Sequence, residues 1–213
     1  MRLSVDQYRL QDSVYSVFFD RLRGLFAAMD RDYTRAAEHY RFQCTGCPNN
    51  CCQTHFYHYT YLEYLFLLEG FHKSAPARQR KVISRAKDVL HKVAQANEEG
   101  KPVWIMCPLN DDGWCTLYAC RPMICRLHGI PHEFQKPGQK IINCPGCKTF
   151  DERCSNRHYY PFDRTPFYFE MAQLEKDFKQ AAGITGKLKV TIAEMIFGAG
   201  RSASGKEQWR ETD

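Results

Sequence analysis

The chain has 213 residues, 44% of them hydrophobic and 25% charged, which is enough for one sizeable core or two small ones and too apolar for a disordered chain. The formal net charge is +6, but the basic residues are spread along the sequence rather than gathered in one run, so nucleic acid starts as a weakly supported partner. The opening MRLSVDQYRLQDSVYSVFF is broken by Asp6, Arg9, Gln11 and Asp12 and has no signal-peptide core, and the most apolar run, Tyr61 to Leu68, contains Glu63 and is too short to span a bilayer; a soluble cytoplasmic protein with no membrane partner is expected.

The spacing predicts a first helix over residues 3–40. Val14, Phe18, Leu22, Leu25, Phe26 and Met29 fall on one face, and Asp20, Arg21, Arg23 and Asp30 on the other. TYLEYLFLLEGF reads as a second helix, with Thr60 and Glu63 as a capping box and Gly70 as its stop. A third starts near Ser74, tolerates Pro76 in its first turn, and presents Val82, Ile83, Ala86, Val89, Leu90 and Val93 before ending by Gly100.

From Val103 to Phe150 the pattern changes to short strands. VWIMCPL and WCTLY flank Asp111-Asp112-Gly113, a hairpin turn. A three-residue turn would put Cys107 and Cys115 on one sheet face, and a two-residue turn would put them on opposite faces. GIPHEF and QKIINC flank Lys136 to Gln139, where Pro137 then Gly138 suits a type II turn. A further helix is capped at Thr165-Pro166, buries Met171, Leu174, Phe178 and Ala181, and stops at Gly183. Thr191 and Glu194 cap a last helix through Phe197. The fold class is mainly α (α+β): one domain over 1–200, with a small β-hairpin metal-binding region at 42–154 and a frayed tail at 201–213.

Eleven cysteines are far above ordinary usage, and their odd number argues against a disulfide framework. They form three groups: Cys44, Cys47, Cys51 and Cys52; then Cys107, Cys115, Cys120 and Cys125; then Cys144 and Cys147, with Cys154 beyond. A C-x2-C turn lets two thiolates converge while backbone N–H groups point at sulfur, which suits tetrahedral zinc or an iron–sulfur cube. Thiolates favour either centre over hard cations, so spacing leaves both open. Adjacent Cys51 and Cys52 project to opposite sides of an extended chain. They fit two neighbouring centres, or one ligand and one core thiol. Eight thiolates around two zinc ions would lower the formal charge from +6 to +2, since four positive charges offset eight negative ones.

The combination C-x2-C-x3-CC, CPL, CTLY, RPMICR and NCPGC resembles the YkgJ-type cysteine-cluster family, described as a zinc- or iron-chelating domain with the signature C-x2-C-x2-CC. The resemblance covers residues 42–147. It implies Cys44, Cys47, Cys51, Cys52, Cys107, Cys115 and Cys125 as ligands, with Cys144 matching a less regular CPG element. Cys120, Cys147 and Cys154 fall outside the pattern, and x3 replaces x2 between Cys47 and Cys51. Some relatives are flagellin lysine N-methylases, which the resemblance would link to an iron–sulfur cluster and S-adenosylmethionine. This chain is much shorter, so the metal site carries over and the methylation does not.

Arg121 and Arg126 flank Cys125, either as cofactor-side charges offsetting a thiolate cluster or as ordinary ion-pairing residues. Tyr118 is read as packing against the site. His55, His58, His128 and His132 lie near the clusters in sequence and are read as surface residues or partners of ligands rather than as ligands. Asp111, Asp112 and Asp151 read as turn residues, and CPGC lacks the βαβ setting of a redox dithiol. Two functions follow: a protein holding an iron–sulfur cluster, [4Fe–4S] in type, with a redox or cluster-dependent role and room for a second metal; or a structural zinc protein whose surface binds a protein or RNA.

Overall fold

The computed structural model describes residues 12–44, 51–154 and 156–204. Residues 3–11 of the predicted first helix, Cys47, and the tail beyond Ser204 lie outside them. The chain is mainly helical, with two small antiparallel hairpins. Among the described residues no helix is long and apolar enough to cross a membrane.

Helix α1 (Asp12–Tyr40) buries Phe18, Phe19, Leu22, Leu25, Phe26, Met29, Ala36 and Tyr40. It ends where Arg41 turns left-handed (φ 53°) and the Phe42 N–H donates back to the Ala37 carbonyl at 2.8 Å. Helix α2 (Tyr61–His72) is apolar on two sides. Tyr61, Leu62 and Phe66 join a first core with α1 and α6 (Thr165–Ala181), while Leu67, Leu68 and Phe71 join a second core with α3 (Pro76–Glu98) and α7 (Ile192–Ser204). Phe178, Leu174 and Met171 pack α6 as expected, but Ala181 is exposed, and Phe167 extends the stripe at the other end.

The N-terminus of α2 departs from the predicted capping box. The Thr60 hydroxyl donates to the Glu63 carboxylate and caps no amide. Glu175 of α6 does so instead, its two carboxylate oxygens accepting the Tyr61 and Leu62 N–H groups at 2.9 and 3.0 Å. Glu63 is thereby free to accept the Met123 N–H at 2.6 Å, which docks α4 (Met123–Arg126) against α2. Gly70 does not stop the helix, which runs on to His72. A Cβ at Gly70 would stand 2.5 Å from the Cys120 Sγ, so its role is to admit the 3-10 turn Tyr118–Cys120.

The first hairpin pairs β1 (Asn110–Asp111) with β2 (Trp114–Cys115) through a two-residue turn, Asp112 and Gly113, both at positive φ (50° and 89°). On a continued ladder Cys107 and Cys115 would face opposite ways. The ladder stops at Asn110, whose N–H donates to the Cys107 carbonyl at 3.0 Å, and that turn carries Cys107 back toward Cys115. The second hairpin pairs β3 (His132–Phe134) with β4 (Ile142–Cys144). Its loop contains the expected turn, with Gly138 at φ 71° and the Gln139 N–H donating to the Lys136 carbonyl at 3.0 Å. Helix α5 (Lys148–Cys154) follows.

Thr191 and Glu194 form the predicted capping box: the Thr191 N–H donates to the Glu194 carboxylate at 2.6 Å, and the Glu194 N–H to the Thr191 hydroxyl at 3.3 Å. The helix continues past Phe197 to Ser204, because Gly200 allows close packing against Ile83 of α3. Since Glu175 supplies two acceptors to buried amides, Glu175→Ala should lower the unfolding free energy by about 1–3 kcal/mol in urea titration. Glu175→Gln, which keeps one acceptor oxygen, should lose less. An unchanged midpoint for the alanine variant would refute the assigned cap.

Candidate metal centre

Four segments, one at Cys52 and three between Cys107 and Cys125, meet at one cavity of about 160 Å3. Cys52 comes from the 3-10 turn Cys51–Gln53, Cys107 from the loop before β1, Cys115 from β2 and Cys125 from α4. The Cys107 N–H donates to the Cys52 carbonyl at 2.7 Å and fixes the first two segments together. Leu109 and Leu117, each two residues after a cysteine in CPL and CTL, are buried in the second core and hold the other wall.

The thiols sense one another. Burial pushes the Cys107 thiol well up, and ionised Cys125, Cys52 and Cys115 would push it further. Cys115 is raised by burial, Cys52 and Cys120, and Cys125 by burial, Cys115, Cys52 and Glu63. Two opposing contacts favour thiolate: the Leu109 N–H points at the Cys107 sulfur and the Leu117 N–H at the Cys115 sulfur. An N–H aimed at sulfur two residues back is the backbone arrangement that serves a metal-bound thiolate. Gathered this way, the thiols resist losing protons unless a cation replaces them.

Arg121 supplies part of that compensation, opposing the rise at both Cys115 and Cys125. Its guanidinium lies 3.8 Å from the centroid of the Tyr118 ring, 3.6 Å from Asp30, and its buried Nε has no hydrogen-bond partner. Arg126 is placed differently. It donates to Asp30 at 2.7 Å, to the Arg121 carbonyl at 2.9 Å and to the Ala119 carbonyl, and stacks 4.0 Å from the Phe26 ring. Arg126 therefore braces the cavity wall, and Arg121 faces the thiols.

Cys44 also lines the cavity, and Cys51 is the first residue of the 3-10 turn that carries Cys52. Cys144 lies elsewhere. Pairing of His132 with Cys144, and of Glu133 with Asp163, puts Cys144, His132 and Arg164 on one face of the second hairpin. Arg164 is only 2% exposed there. Cys147 packs on the first core, its N–H donating to the Gly129 carbonyl at 2.9 Å, and buried Cys154 donates its thiol to the Tyr40 carbonyl at 3.5 Å. Cys120 touches both cores. His55 and His128 line the cavity, and His128 stacks on Phe56 at 5.3 Å.

His58 is not on the surface. It is 3% exposed, lines the cavity, and is held by two backbone hydrogen bonds to Val190, of 2.7 and 3.0 Å. Its Nε2 has no hydrogen-bond partner, and burial lowers its pKa to about 4. Nothing local in sequence marks it, because its burial depends on Val190, far along the chain.

Among the described residues no three Cys, His, Asp or Glu side chains close on a single ligating point. Comparison with protein-family models, curated proteins and solved structures finds no match to this chain, so the cysteine-cluster resemblance rests on its motif residues.

Two outcomes follow from this geometry. With a metal held at this cavity, Cys125→Ser should lose it, while Cys120→Ser, at a residue that packs against Gly70 and does not line the cavity, should retain it; equal loss by metal analysis would contradict the division. For His58, the unfolded pKa of 6.5 lies above the folded value of about 4. Its contribution to stability is thus complete above pH 6.5 and is lost as pH falls toward 4. His58→Gln should flatten that acid-side loss in urea titrations across the window, and parallel pH profiles would count against it.

Proposed function

We propose that this chain is a cysteine-ligated metal-binding protein carrying an iron–sulfur cluster of the [4Fe–4S] type, held by Cys52, Cys107, Cys115 and Cys125. Cys44 lines the same cavity, and the YkgJ-type resemblance adds Cys47 and Cys51 as candidate ligands, with room for a second metal. The observation that carries the reading is the convergence of four thiols on one cavity, two of them receiving amide N–H groups and two facing Arg121. A single zinc draws four sulfurs to about 2.3 Å from one point, and a cubane takes one cysteine per iron. The thiols here are close enough to perturb one another, and metal analysis decides between the two centres.

In this reading the chain's own residues do three things. The thiols bind, the Leu109 and Leu117 amides and Arg121 offset negative charge on sulfur, and the two cores keep water from the inner wall. The bound cluster would supply one-electron transfer. On the same grounds the YkgJ-type resemblance is proposed as a kinship of metal site.

Anaerobic purification tests the assignment. Iron with acid-labile sulfide and a broad visible band near roughly 400 nm is expected for a thiolate-held cluster. A colourless protein with stoichiometric zinc would overturn it in favour of structural zinc. Cysteine-to-serine changes at Cys107 and Cys115 should then each diminish the visible band.

A further inference from the structure

We infer that helix α3 and the first hairpin bind single-stranded nucleic acid, its phosphates lying along a stripe of cations on α3 and a base stacked on Trp114. That surface lies outside the thiol set and does not depend on which metal the thiols hold.

Basic residues are spread along the sequence, but α3 alone carries six Lys or Arg against two carboxylates, Asp88 and Glu98. Arg78, Lys81, Arg85, Asp88 and Lys92 recur at alternating intervals of three and four, so they share one flank of the helix, beside the buried stripe of Val82 and Ala86. That flank runs for about 21 Å, since a helix rises about 1.5 Å per residue. Lys81 and Arg85 are joined by Asp111 of β1, at 3.1 and 2.7 Å, and Arg85 also donates to the Asn110 carbonyl at 2.9 Å. Arg78 and Lys92 are exposed, and among the described residues neither pairs with a carboxylate.

The aromatic platform is the independent observation. Trp114 stands directly opposite Asp111 in the hairpin, so their side chains share a face, and the ion pairs of Asp111 hold that face against α3. Trp114 is nonetheless 57% exposed. Val89 of α3, Trp114 and Tyr118 line the same cavity, and exposed Tyr118 is backed by the Arg121 guanidinium at 3.8 Å. A large ring left in water beside unpaired cations is the surface that single strands use, because any base can stack on the ring while the backbone follows the charge. A duplex keeps its bases stacked on one another and offers none to the indole. An acidic protein segment would meet the cations without giving the indole a flat partner. Exposed Asp88 and Asp112 oppose the phosphates, which provides a test of sign.

Fluorescence anisotropy on the full chain as purified, with labelled oligo(U), oligo(dT) and a duplex, each of about 12 nucleotides, should show saturable binding of at least one single strand and weaker binding of the duplex. Tighter binding of oligo(U) would support the surface and assign RNA, and tighter binding of oligo(dT) would support it and assign DNA. Trp114→Ala should weaken binding about tenfold and leave its salt dependence unchanged, while Trp114→Phe keeps a ring and should lose less. Changing Arg78 and Lys92 together to Gln should flatten the slope of log affinity against log salt by about 1.4, the share of two phosphate contacts on a single strand. Asp88→Asn should tighten binding. Phe169 is also exposed but belongs to α6, in the other core, so Phe169→Ala should bind as the parent does. Absence of saturable binding to both single strands, a duplex bound as tightly as they are, or polyglutamate competing as well as an unlabelled single strand would overturn the inference. So would an affinity unchanged by both Trp114→Ala and the double variant. Metal analysis of the same samples keeps the two readings apart, because binding without iron would sink only the cluster.

Discussion

Helix α2 is buried on two faces, and its polar groups must be satisfied from outside. A helix lying between two cores leaves its first N–H groups away from water, where an unpaired donor costs about 1–3 kcal/mol. Glu175 meets that demand from α6, and its own burial holds its carboxyl above the usual range while the two amides pull it back down. With the amides capped, Glu63 turns to the Met123 N–H and Thr60, and α4 is fixed beside the helix. Cys125 rides on α4. One capping arrangement thus sets the position of an inner wall of the cavity.

The same geometry explains why that wall is electrostatically tense. Glu63 lies close enough to raise the Cys125 thiol, so α4 brings a buried carboxylate and a buried thiol into one neighbourhood. Asp30 of α1 collects the opposite charges, pairing with Arg126 at 2.7 Å and lying 3.6 Å from Arg121. Arg126 is consumed in holding the turn before α4, through the Arg121 and Ala119 carbonyls. Two neighbouring arginines in RPMICR therefore divide between framework and thiols, a distinction that depends on which carbonyls each can reach.

Local signals were legible in the sequence where neighbours in the chain decide the outcome. The Thr191–Glu194 capping box, the Pro137-Gly138 turn and the end of α1 at Tyr40 are of this kind. Outcomes decided across the chain were not. Glu175 displaces a capping box 112 positions away at Glu63, Gly70 serves Cys120 rather than a helix end, and Gly200 carries α7 past its expected stop. The site divides along the same line. Cys107, Cys115 and Cys125 stand out in the sequence through CPL, CTLY and RPMICR, and all three line the cavity. His58 does not stand out, since it becomes a cavity residue only when Val190 pairs with it.

The cysteine region is thinly built for its position. Its strands are two and three residues long, and a lone two-stranded hairpin of such length is at best marginal in water. Leu109 and Leu117 anchor the first hairpin to the second core, and the Cys52–Cys107 backbone contact ties it to the segment before α2. A metal bound by thiols on both sides of that contact would close a loop containing α2 and α3, and closing a long loop removes more entropy from the unfolded chain than closing a short one. Binding energy at the thiols would then appear as folding energy of the hairpin region. Short strands, a two-residue turn and clustered thiols are consistent parts of one solution, in which ligation would replace the pairing that the ladder is too short to provide.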